Sequence, residues 1–141
     1  MENDLSPDKI LPRAIDTYWK KSQMPIKKTM ILSFFAGIFI SLAAVASSLA
    51  SAHLLASPET LPMGKLIQGL VFTPGLIFVM VAGGELFTGN CLMVFALLDK
   101  KTSLKTMLKS WLLVYLGNFI GALFIVILIS QSGQWLSLIH I

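Results

Sequence analysis

Charge is scarce in this chain. Asp, Glu, Lys and Arg make up 13% of its 141 residues, against about 25% in ordinary soluble domains. Hydrophobic residues reach 55% and the mean hydropathy is +0.79. A soluble core of this size has no room for that much apolar sequence, so an all-α integral membrane protein is the direct reading. Cysteine is rarer still. Cys91 stands alone, which excludes an intrachain disulfide, and a single thiol in an apolar helix is a small core residue before it is a nucleophile. The only histidines are His53 and His140; neither sits in a cluster of ligating side chains, which argues against a metal site. Walker motif, dinucleotide fingerprint and nucleophile elbow are all missing, so no cofactor is expected and an enzyme is the weakest reading. Residues 1–30 hold Asp4, Asp8 and Asp16 and no cleavage signature, unlike a secretory signal peptide.

The cations that are present have a pattern. Arg13, Lys20, Lys21, Lys27 and Lys28 precede the first apolar segment, and Lys100, Lys101, Lys105 and Lys109 lie between the second and third. The stretch 53–65 holds only His53, Glu59 and Lys65. The positive-inside rule then places the N-terminus and the 99–109 loop in the cytoplasm and 53–65 outside. Lysines that flank spans, without an aromatic-basic surface, do not suit nucleic acid.

The most informative stretch is 66–98, LIQGLVFTPGLIFVMVAGGELFTGNCLMVFALL. As one helix it would be about 50 Å long, against a hydrocarbon layer of about 30 Å. Gly83, Gly84 and Glu85, followed by Thr88, Gly89 and Asn90, break it near the middle. Each half has only about fifteen apolar residues, short of the usual twenty, and two crossings would carry the lysine-rich loop outside; both points favour one crossing by a broken helix. A carboxylate among glycines at membrane depth is costly unless it faces protein or water, so the break is expected to line a path for solute.

Around it the chain divides into 1–28, an amphipathic cytoplasmic segment; 29–130, a three-span unit; and 131–141, an external or truncated tail. In 5–22, Ser6 suits an N-cap, Pro7 the first helical position, and Leu5, Ile10, Ile15 and Trp19 an apolar face, while Pro12 leaves a later start open. Span one, about 29–52, ends in Ala43, Ala44, Ala46, Ser47, Ser48, Ala50 and Ser51, which favours close helix packing over exposure of hydroxyls to a pore. Thr102 and Ser103 suit the cap of a short helix leading into span three, about 110–130. There Trp111 and Tyr115 read as interfacial anchors, and Gly117, Asn118 and Gly121 as a packing face with a hydrogen bond across it.

Backbone groups freed in AGGELFTGN need partners that lipid does not offer. A half-helix starting near Thr88 would aim its first N–H groups at the break and favour an anion there. Gly83, Gly84 and Gly89 permit tight turns. Glu85 either pairs with backbone amides or with a base from a segment outside this sequence, or relays a proton; pairing is the favoured expectation. Leu86 and Phe87 form an apolar gate or simply pack the loop, and Phe72 with Leu76, four apart on one face, form a second constriction or ordinary helix packing.

AGGELFTGN, with PMGKLIQGLVFTPGLIF before it and WLLVYLGNFIGA in span three, resembles the formate/nitrite transporter family over about residues 10–135, the first half of a typical member. The resemblance implies an aquaporin-like inverted-repeat channel fold, of which this chain carries the first three-span repeat with its broken second helix. It also implies a homo-pentamer with one pore per protomer in a bacterial inner membrane, N-terminus cytoplasmic. Leu86 and Phe87 then match a periplasm-side constriction, Phe72 and Leu76 a cytoplasm-side one, and Thr88 the pore-facing threonine. Substrates are small monovalent anions such as formate and nitrite, moved with neutralisation or protonation near a histidine of the fifth span; formate is slightly favoured. That span lies beyond this sequence, and WLSLIHI fits nothing expected after span three, so a truncated product is expected and His140 has no assigned role. The alternative class is a membrane subunit or scaffold that packs through small-residue faces and carries no flux.

Overall fold

The computed structural model describes residues 6–133. Residues 1–5 and 134–141, including Leu5, WLSLIHI and His140, lie outside the described residues. Five helices follow in order: α1 (Pro7–Ser22), α2 (Ile26–Leu55), α3 (Leu61–Val81), α4 (Phe87–Leu98) and α5 (Leu104–Gln131).

Helix α1 starts at Pro7 and runs through Pro12. Pro12 is exposed, so the carbonyl that it leaves without an intrahelical donor faces solvent rather than a dry interior. Ser6 makes no side-chain cap; its carbonyl accepts from the Lys9 amide at 2.8 Å. Helices α2, α3 and α5 are each long and apolar enough to cross a membrane. Helix α2 extends past the expected span at both ends and takes Lys27 and Lys28 into its first turn. Helix α5 is continuous from Leu104, not a short helix followed by a span, and the Ser103 hydroxyl caps it by accepting from the Thr106 amide at 3.2 Å.

Glycine sets how closely these helices pack. A Cβ on Gly75 would meet the Ala43 methyl, and one on Gly64 would meet Leu54 and Leu55, so α3 returns antiparallel along α2. A Cβ on Gly117 would meet Ser33, and one on Gly121 the Phe34 carbonyl, so α5 runs parallel to α2. Buried Ser47 donates to the Gln68 carbonyl at 2.7 Å across the α2–α3 contact, so this hydroxyl points into packing. Outer faces are apolar and open, as at Leu70 and Leu112. In lipid such surface carries no penalty.

The second segment departs from expectation in one respect. Helix α3 begins at Leu61, with Pro62 in its first turn where a missing N–H costs nothing. Its 21 residues rise about 31 Å, so the first half is a span by length, not a stub of about fifteen. The break lies toward one end of the bundle. That end is the lysine-rich one, because α5, parallel to α2, also starts there. Helix α4 comprises a turn at Phe87–Asn90, a 3-10 turn at Cys91–Met93 and a final turn at Val94–Leu98, with α1 packed across it.

Candidate functional site

The break is made by Ala82–Leu86, and several of its backbone groups have named partners. Gly83 turns the chain at φ +64, a conformation that costs other residues about 1–2 kcal/mol. The Gly84 amide donates back to the Val79 carbonyl at 2.7 Å and the Glu85 amide to the Leu32 carbonyl of α2 at 3.3 Å. The Phe87 amide, first of α4, donates to Asn118 Oδ1 on α5 at 2.9 Å. Asn118 Nδ2 donates in turn to the carbonyls of Glu85, at 2.9 Å, and Ser33, at 2.8 Å. One carboxamide thus ties α2, the break and α4 together.

Glu85 is 3% exposed. A buried carboxylate without a partner costs several kcal/mol, and here it has two. Lys21 Nζ lies 3.0 Å from Oε1 and 3.2 Å from Oε2, and Asn90 Nδ2 donates to Oε2 at 2.8 Å. The expected base from outside the sequence is therefore supplied within it, by α1. The Lys21 ammonium also lies 5.7 Å from the centre of the Tyr18 ring. Burial, and secondarily the Glu85 charge, hold the Tyr18 phenol above its ordinary pKa, so it stays neutral. Asn90 is itself 1% exposed, and its Oδ1 has no hydrogen-bond donor. Trp111 Nε1 donates to the Asn90 carbonyl at 2.8 Å, and Trp111 and Tyr115 meet the Phe87 ring edge-on at 6.0 and 5.8 Å. Both aromatics, expected as interfacial anchors, brace the break.

Two open hollows meet at this loop. One, about 510 Å³, is lined by Phe72, Leu76, Leu86, Phe87 and Thr88 together with α2 and α5 residues that include Gly37, Ser41 and Asn118. The other, about 430 Å³, is lined by Lys21, Gly83, Gly84, Glu85 and Gly89 and again by Leu76, Leu86 and Thr88. Leu76, Leu86 and Thr88 therefore stand on the boundary between them. Thr88 is exposed, its hydroxyl has no hydrogen-bond partner among the described residues, and a Cβ on Gly83 or Gly89 would meet open space. Phe72, Leu76, Leu86 and Phe87, expected at two constrictions, and Thr88, expected to face the pore, all line one hollow. Chain direction puts Phe72 and Leu76 toward the 56–60 turn and Leu86 and Phe87 toward the lysine-rich end. Leu76 shares the boundary with Leu86, while Phe87 turns its ring to Trp111 and Tyr115.

Of the packing residues, Gly117 and Gly121 contact α2, and Asn118 bonds both α2 and the break. Gly84, Glu85 and Asn90 belong to the loop's internal bonding, and Gly83 and Gly89 to its open surface. Lys21 and Trp111 were not singled out as site residues. Lys21 is in sequence one of several flanking lysines, and only the fold selects it.

Three helices long and apolar enough to cross a membrane, with a loop between two of them facing two hollows, define an all-α membrane protein. Comparison with known proteins agrees. The family model described as formate/nitrite transporter matches residues 8–139. The formate channel FocA of Escherichia coli K12 is 35% identical over 145 aligned positions, covering 97% of this chain and 49% of the relative. The probable formate transporter of Methanothermobacter thermautotrophicus is 34% identical over 106, covering 74% and 39%. FocA of Haemophilus influenzae is 40% identical over 111, covering 76% and 38%. The chain belongs to the formate/nitrite transporter family, whose members are multi-pass membrane transporters and not enzymes. It spans about half the length, or less, of these relatives.

Proposed function

We propose that this chain supplies the first three-span repeat of a channel for small monovalent anions, with formate slightly favoured over nitrite, one pore per protomer and a pentameric full-length assembly in a bacterial cytoplasmic membrane. Residues 1–28 form the cytoplasmic segment and 29–130 the repeat. The observation that carries the reading is the pair of hollows sharing Leu76, Leu86 and Thr88. Apolar side chains at that boundary shed the solute's water, and the free Thr88 hydroxyl offers a hydrogen bond in exchange. The N–H groups of Thr88 and Gly89 have no intramolecular acceptor among the described residues and favour negative charge nearby. Lys21 balances Glu85, so the carboxylate does not close the path to an anion. A scaffold role would need dry packing at 83–90, and the open positions of Gly83 and Gly89 speak against that.

The test is uptake by proteoliposomes carrying the full-length protein that contains this repeat. Formate should enter faster than in protein-free vesicles, and nitrite should compete with it. Equal uptake with and without protein overturns the proposal; nitrite uptake that outpaces formate overturns only the preference between them.

A further inference from the structure

We propose that Asn118 is a positioning residue that sets size selection at the boundary between the hollows, acting through Leu86. The inference rests on the break being the solute path. Asn118 bonds the Glu85 carbonyl and the Phe87 amide, the backbone groups on either side of Leu86. Leu86 lines both hollows, as Leu76 and Thr88 do. The same carboxamide is anchored to the Ser33 carbonyl on α2, so Leu86 is held relative to the spans and not merely to its own loop.

The surroundings fit an amide of this length. Gly37 faces the Asn118 backbone, and a Cβ there would meet the Asn118 carbonyl oxygen; Gly117 beside it lets α5 approach Ser33. These two glycines bring α5 close enough for a short side chain to reach both edges of the break. Glutamine, one methylene longer, overshoots at least one of the three partners. Aspartate keeps an acceptor for the Phe87 amide but has no N–H for the two carbonyls. The Leu86 carbonyl accepts from the Asn90 amide at 3.0 Å, but its amide has no acceptor among the described residues, so removing the clamp releases the backbone on the Glu85 side of Leu86 and leaves only the first turn of α4 to hold it.

A residue that only holds the bundle together would, when lost, lower the flux of every anion alike by lowering the amount of folded protein. A residue that positions Leu86 would change the ratio between a small and a larger monocarboxylate. The experiment measures formate and lactate uptake in proteoliposomes for wild type, Asn118→Ala, Asn118→Asp, Leu86→Ala and the double variant Leu86→Ala/Asn118→Ala. We expect both Asn118 variants to shift the formate-to-lactate ratio toward lactate by about tenfold, and the Asn118 change to add nothing once Leu86 is gone. An unchanged ratio, or effects that multiply in the double variant, overturns the inference while leaving the transport reading intact. Wild type that carries neither anion overturns the transport reading instead. Hydrogen exchange reads the clamp without transport: the Phe87 amide should exchange slowly in wild type and at least about tenfold faster in Asn118→Ala. Equal exchange contradicts the proposal, and if the alanine variant does not fold the uptake ratio of Asn118→Asp, which loses the two carbonyl bonds but keeps the acceptor for the Phe87 amide, decides it.

Discussion

The contacts of α2 with α3 and α5 and the contacts of the break are built on opposite principles. Along α2 the decisive residues are those with no side chain: Gly64, Gly75, Gly117 and Gly121 let backbones approach until any Cβ would collide. At the break the decisive residues are polar: Asn118 and Trp111 bond backbone groups left where the helix stops, and Lys21 and Asn90 satisfy the buried Glu85 carboxylate. The first region cannot accept added bulk, and the second cannot accept lost polarity. The contrast follows from the solvent. In lipid, helices gain little from hydrophobic exclusion and associate by close contact, whereas an open backbone must be satisfied by protein.

Substitutions that exchange the two principles should break the contrast. The largest effect belongs to Gly121→Leu, which drives a side chain into the Phe34 carbonyl of α2; backbone cannot yield as a flexible side chain does. Loss of most monodisperse protein on size-exclusion chromatography is expected, while Gly89→Leu, aimed at open space, should purify as wild type. Next comes Lys21→Met. It strands the Glu85 carboxylate, and should cost about 2 kcal/mol in unfolding titrations, below the usual 3–5 for a buried pair because Lys21 is 30% exposed and water reaches it. The double variant Lys21→Met/Glu85→Gln should recover most of that loss. The smallest is Gly83→Ala, about 1 kcal/mol from its positive φ alone, against a change of a few tenths for Gly89→Ala.

The break was legible because glycine and a carboxylate have few other reasons to interrupt an apolar run, and the span count because hydropathy and lysine placement agree. What escaped was of two kinds. The start of α3 at Leu61 was hidden because Pro62, Gly64 and Lys65 lower local hydropathy, although Pro suits a first turn. The partners of Glu85 and of the Phe87 amide were hidden because Lys21 and Asn118 lie 64 and 31 positions away along the chain. Periodicity orders neighbours on one helix and is silent on which of several lysines flanking the spans, or which amide, a fold brings to a distant loop. The family resemblance placed Phe72, Leu76, Leu86, Phe87 and Thr88 at one pore, and they line one hollow; which side of the bilayer each pair faces is a property of chain path and not of motif.

Accessibility of Thr88 tests the central claim most directly. In a Cys91→Ser background, Thr88→Cys should react within seconds to minutes with a small anionic thiosulfonate, lose formate uptake on labelling, and be protected by excess formate. A Thr88→Cys protein that stays unlabelled, or that labels with uptake unchanged, would contradict a solute path through the break.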